Sequence, residues 1–101
     1  MVIYNITTKV DWLVHDAWLK WMQQVHIPEI MATCCFEKQQ MARLLDIDEA
    51  EGVTYAVQYY AATKADYNRY AELFAPALRQ QTVEKWRDRV MAFHTLMQVV
   101  N

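Results

Sequence analysis

The chain has 101 residues and a formal net charge of -2, with its Lys, Arg, Asp and Glu scattered, which bounds it to one domain and gives no basic footprint for nucleic acid. Hydrophobic residues make up 54% of it, with four Trp and six Tyr. That is more apolar material than a domain burying roughly 60–70% of its unfolded surface usually hides, so a partner subunit is expected to cover part of it. No apolar run approaches the ~20 residues of a membrane span, and the start at Met1-Val2-Ile3 has neither the basic nor the apolar region of a signal peptide, so a cytoplasmic protein is expected.

Residues 2–9 are β-branched and aromatic and predict a strand. Neither of its faces is fully polar, so both should be covered. Asp11 then offers an N-cap for a helix over residues 11–25, in which Val14, Ala17, Trp18, Trp21, Met22 and Val25 form one apolar stripe. Pro28 lacks a backbone donor and is expected to stop that helix, leaving a short turn over 29–32. Residues 36–47 have helical propensity but are read as a strand, because 46–52 then makes a hairpin loop in which Gly52 is free to take positive φ. Residues 53–60 are the clearest strand, with Val53, Tyr55, Val57 and Tyr59 on one apolar face.

Thr63 and Asp66 mark the start of a second amphipathic helix, whose stripe is Tyr67, Tyr70, Ala71, Phe74, Ala77 and Leu78, bent at Pro76. Residues 82–89 predict a separate helical turn anchored by Trp86. Residues 90–100 predict a last strand, with Phe93, Met97 and Val99 on one face and His94, Leu96 and Gln98 on the other.

The order βαββαβ makes a four-stranded antiparallel sheet of order 4-1-3-2 with both helices on one face, the ferredoxin-like α+β arrangement. The opposite face has no cover from its own chain. Asn5, Gln58, His94, Leu96 and Gln98 are expected there, lining a barrel-like space between two sheets of a homodimer.

The stretches Tyr4-Asn5-Ile6-Thr7-Thr8-Lys9-Val10-Asp11-Trp12, Trp18-Leu19-Lys20-Trp21-Met22, His26-Ile27-Pro28-Glu29, Tyr55-Ala56-Val57-Gln58-Tyr59 and Leu96-Met97-Gln98-Val99 resemble a family of small bacterial proteins known only as a domain of unknown function. The resemblance covers nearly the whole chain. It implies the dimeric α/β-barrel fold and no activity. Members often carry Gly where this chain has Cys34, so the helix end must turn here without glycine. Wider relatives of the fold include monooxygenases, isomerases, haem-degrading enzymes and stress-response barrels, several with a His-x-Pro similar to His26-Ile27-Pro28. A shared fold does not transfer their function.

Among chemistry-bearing residues, His26 at a helix end is the first candidate for proton transfer, against a simpler role in capping the last carbonyls. His94, with Asn5, Gln58 and Gln98, is expected to form a polar patch for a small ligand, or else a satisfied polar cluster at the dimer interface. Tyr55 and Tyr59 read as core. His15 stands eleven residues before His26, ~16 Å along a helix, so the two cannot share a metal, and Asp11 with His15 lacks a third ligand. One glycine excludes a phosphate-cradling loop. The haem-degrading pattern of a strand Trp and a helix His is missing. The acidic loop 46–51 reads as a solvated tip. Cys34 and Cys35 read as reduced, mostly buried thiols, since adjacent cysteines rarely bridge. No metal and no cofactor are expected. Three functions stay open: a homodimer binding a small, partly apolar ligand, a cofactor-independent enzyme using His26 or His94, and a structural dimer with a filled interior.

Overall fold

The computed structural model describes Met1–Asn101. Strands β1 (Val2–Asp11), β2 (Lys38–Arg43), β3 (Gly52–Ala61) and β4 (Val90–Gln98) form one antiparallel sheet of order β2-β3-β1-β4. Helices α1 (His15–Trp21) and α2 (Ile27–Met31) precede β2, and α3 (Lys64–Leu73) and α4 (Ala75–Trp86) lie between β3 and β4. The predicted topology is therefore the observed one.

In β1 the even positions Val2, Tyr4, Thr8 and Val10 are buried, and they pair with the odd positions Ala61, Tyr59, Tyr55 and Val53 of β3. Side chains alternate along a strand, so this shared parity defines one sheet face. Trp18, Met22, Ile27, Ile30, Tyr70, Leu78 and Trp86 close over it in a single core. Tyr55 and Tyr59 are thus core residues. The other face shows Ile3, Asn5 and Thr7 with Ala56, Gln58 and Tyr60, and no helix covers it.

Asp11 ends β1 and does not cap a helix; its carboxylate accepts from the Leu13 N–H and from Arg89. The first helix starts at His15 and does not stop at Pro28. Between α1 and α2 the chain makes a π-helical turn over Met22–His26, in which the Ile27 N–H reaches back to the Met22 carbonyl. His26 and Ile27 keep helical dihedrals, so the rod runs on to Met31. The extra residue of the π turn rotates the stripe. Val25, an expected member, is 40% exposed, and His26 and Ile27 are buried in its place.

The second helical segment breaks at Phe74 (φ -120°), two residues before the bend expected at Pro76, because Pro76 fits the first turn of a new helix, where no donor is needed. The break substitutes Ala75 for Ala77 on the buried stripe. α4 then continues to Trp86, absorbing most of the separate turn predicted over 82–89, of which Arg87–Arg89 remains as a short 3-10 turn. β2 is shorter than the predicted 36–47. The 46–51 loop is tied down: Arg43 donates to both Glu49 carboxylate oxygens (3.1 and 2.7 Å), and Trp12 Nε1 donates to the Glu49 carbonyl at 2.7 Å.

Gly52 does not take positive φ; that role in the loop falls to Asp46 (φ 60°). Its glycine is needed for another reason, since a Cβ there would stand 2.4 Å from the Val10 carbonyl oxygen. Cys34 makes its turn at φ 61°, a left-handed conformation without glycine. Both thiols are free, with Cys35 buried and Cys34 exposed. Two stability changes of opposite sign follow. Cys34→Gly should raise the unfolding free energy by about 0.5–1 kcal/mol, by relieving left-handed strain net of the entropy glycine adds to the unfolded chain. Gly52→Ala should lower it by roughly 1–3 kcal/mol, as overpacking does. Urea midpoints for the two variants check both.

Candidate functional site

β4 carries the main correction. Its register with β1 pairs Ile6 with His94, Tyr4 with Leu96 and Val2 with Gln98. These residues therefore share the helix side of the sheet with Tyr4, while Asn5 and Gln58, directly paired with each other, lie on the bare side. The expected patch of Asn5, Gln58, His94 and Gln98 is split by the sheet. Asn5 Nδ2 donates to Thr7 Oγ1 (3.0 Å), Gln58 Oε1 accepts from the Tyr60 hydroxyl (3.0 Å), and Gln98 Nε2 donates to the Met1 and Val99 carbonyls. Met91 and Phe93, 59% and 62% exposed, face the bare side with Asn5.

His94 and His26, kept apart in the sequence reading, line one cavity of about 280 Å³ between the sheet and the helices. Its walls are mostly apolar, with Ile6, Trp18, Met22, Ile30, Val57 and Leu78 among them. Its mouth runs along the groove between α4 and β4, where Arg79, Val83, Arg87, Ala92 and His94 are exposed. No Asp or Glu lines it.

Three polar side chains form a chain at this mouth. Arg79 donates from a guanidinium nitrogen to the Tyr4 hydroxyl oxygen at 2.9 Å, and Tyr4 Oη lies 2.5 Å from His94 Nδ1. Arg79 has no acceptor to offer, so the Tyr4 O–H is left free to donate to a neutral His94 Nδ1. Burial raises the Tyr4 pKa, with Arg79 opposing, and burial together with the Arg79 charge lowers that of His94. At neutral pH the chain holds one positive charge, on Arg79.

His26 occupies the inner wall. It is 7% exposed and stacks on Trp21, with centroids 4.5 Å apart and planes at 18°. It does not cap the end of the rod, which runs past it. Its Nδ1 is enclosed without a hydrogen-bond partner, and burial lowers its pKa to about 4. His15 bonds elsewhere, its Nδ1 to Asp16 (3.0 Å) and its Nε2 to the Tyr55 hydroxyl (2.7 Å). Arg79, Tyr4 and Arg87 were absent from the expected site. Arg87 carries its own signal only in the backbone, at φ 51° and ψ -129°, a region non-glycine residues rarely adopt and one that clusters at functional sites.

The model of DUF4286, a domain of unknown function, matches residues 1–100. The chain belongs to this family. No curated protein matches it. Among solved structures it is similar to a dimeric ferredoxin-like protein from an uncultured marine organism (TM-score 0.73, 10% identity, 100% of this chain and 96% of that one). It is also similar to HapK from Hahella chejuensis (TM-score 0.70, 12% identity, 100% and 94%). A third is SnoaB from Streptomyces nogalater, a cofactor-independent oxygenase solved as a mutant (TM-score 0.71, 11% identity, 99% and 94%). At these identities the likeness is one of fold, and it agrees with the ferredoxin-like arrangement derived from the sheet. As for membranes, no helix is long and apolar enough to cross one.

The histidine buried in this DUF4286 cavity has a consequence for stability. Its pKa is depressed from 6.5 to about 4, so the unfolded chain binds the extra proton first as pH falls. The contribution of neutral His26 is complete above about 6.5 and is lost as pH drops toward 4. The loss at that position is on the order of 3 kcal/mol. His26→Phe, which keeps the stacking on Trp21, should flatten the fall in thermal stability between those pH values relative to the unmodified protein. Melting curves across the range measure the difference.

Proposed function

We propose that this DUF4286 protein is a homodimer that binds a small, largely apolar molecule carrying an anionic group, one in the cavity of each protomer. The observation that carries the reading is the composition of the cavity wall: apolar side chains, two arginines, a neutral Tyr4–His94 pair, and no carboxylate, in a protein of net charge -2. Its volume of about 280 Å³ stands at the lower end of small-molecule sites, roughly 300–1,000 Å³. An apolar body fits against Trp18, Met22 and Ile30, and the anion meets Arg79 and Arg87 at the mouth. A cytoplasmic location suits the two free thiols.

Naphthoate and the neutral naphthalenemethanol are suitable probes. Naphthoate should bind more tightly, and Arg79→Met should weaken it about tenfold, the lower end of a charged hydrogen bond, because Arg79 is solvent-exposed. Equal affinity for the two probes, read by calorimetry, would count against an anion site.

The dimer in this reading forms through the bare sheet face, where Ile3, Ala56 and the exposed Phe93 and Met91 need cover. Light scattering at micromolar concentration should give twice the chain mass. Phe93→Glu should give a folded protomer. A protomer in the unmodified protein would remove the dimer from the reading.

A second reading, a proton-transfer enzyme without a bound cofactor, is favoured by the Arg79–Tyr4–His94 chain, since His94 is held through Nδ1 and its Nε2 has no protein partner at the mouth. SnoaB, similar in fold, is a cofactor-independent oxygenase. Deuterium uptake at the acidic C–H of β-tetralone, followed by NMR, separates the two. An enzyme accelerates it and loses that in His94→Gln, whereas a binder shows no acceleration and keeps its naphthoate affinity.

A further inference from the structure

The mouth of the cavity explains where an anion is held, but not why a histidine is buried at its other end. His26 is a polar ring among Trp18, Met22 and Ile30, and an imidazole enclosed without a partner costs stability that a leucine or phenylalanine there would not. Tyr59 Oη and Trp86 Nε1 are the other enclosed polar atoms without partners, and neither residue lines the cavity. His26 is therefore the one residue with such an atom that also lines the cavity. Of its two ring nitrogens only Nδ1 is sealed, which leaves Nε2 as the atom within reach. The π turn over Met22–His26 is what brings the ring here; an unbroken α-helix would present Val25.

We infer that the ligand is bifunctional: an apolar frame with an anionic group at the Arg79 and Arg87 mouth and a hydroxyl at the far end, hydrogen-bonded to the imidazole of His26. Hydroxylated aromatic acids are the chemical class that meets both ends. A hydroxyl serves either tautomer of the imidazole, because it can donate or accept. A second carboxylate at the inner end is disfavoured, since no cation stands there and the imidazole is uncharged. This inference rests on the anion-binding reading above.

The test compares naphthoate with a set of naphthoates hydroxylated on the ring distal to the carboxylate, by calorimetry on the intact dimer. At least one isomer should bind roughly tenfold more tightly than naphthoate, because it adds a hydrogen bond to an imidazole nitrogen in a mostly apolar cavity. His26→Phe should abolish that gain, read as the ratio of hydroxynaphthoate to naphthoate affinity within the same variant, and His26→Gln, which can still hydrogen-bond, should keep part of it. Should naphthoate bind while no hydroxylated isomer gains, the inference is overturned and the anion site stands. A gain that survives in His26→Phe overturns it too, by seating the hydroxyl elsewhere. If naphthoate itself fails to bind, the anion site falls and the inference falls with it. Thermal melts confirm that each variant folds.

Discussion

The site depends on how the first helical rod passes Pro28. A proline inside an α-helix removes one hydrogen bond and presses its ring on the carbonyl of the preceding turn. Here the turn immediately before it is widened into a π turn, closed by the Ile27 N–H on the Met22 carbonyl, and the rod continues without a break. One inserted residue shifts the inward face by about a quarter of a turn, since successive residues stand ~100° apart. Trp18 and Met22 hold the first half of the rod on the sheet, Ile27 and Ile30 the second, and His26 is carried inward between them. A straight helix would centre Val25 on the buried face with His26 at its flank, and a helix ended at Pro28 would leave the ring at a frayed terminus.

The two faces of the sheet answer to different demands. Tyr4, Tyr55 and Tyr59 fill the helix side near β3, where burial raises the pKa of Tyr4 and Tyr59 and keeps both hydroxyls protonated. Toward β4 the helices no longer reach, so the same face opens into the groove that leads to the cavity. The far side carries Asn5, Thr7 and Gln58 beside Ile3 and Phe93, a mixture that satisfies its own polar groups locally and leaves apolar area exposed.

That difference explains what was legible in the sequence. The element order and sheet order were readable because residues 2–9 are β-branched and aromatic, residues 46–52 read as a hairpin loop and Val53–Tyr60 alternates cleanly. The parity of β4 was not. Phe93 and Met97 look like a core face and His94 and Gln98 like a solvent face, so the apolar set belongs by ordinary patterning under the helices. The pairing of Ile6 with His94 reverses it, and in a strand a one-residue error moves every side chain to the wrong side. Patterning reports which side is apolar, not which neighbour makes it so. His26 was found as a candidate from its place before Ile27-Pro28, but for a helix end that does not exist. Arg79 gave no signal, because on α4 it reads as one more solvated charge among Lys85, Glu84 and Arg87.

The electrostatics of the cavity follow from burial and from the absence of a carboxylate in its wall. A histidine beside a carboxylate would stay protonated and draw the site toward cations or metals. Here each histidine is pushed the other way, His26 by burial and His94 by burial and the nearby Arg79. Neutral imidazoles add directional hydrogen bonding without adding charge, so the sign of the field at the mouth is set by the arginines alone. Arg79 in turn is held in place by donating to the Tyr4 oxygen, which also pairs with His94 Nδ1. One cation thus anchors this polar chain, and removing it would take away a hydrogen bond to Tyr4 as well as the attraction for an anion.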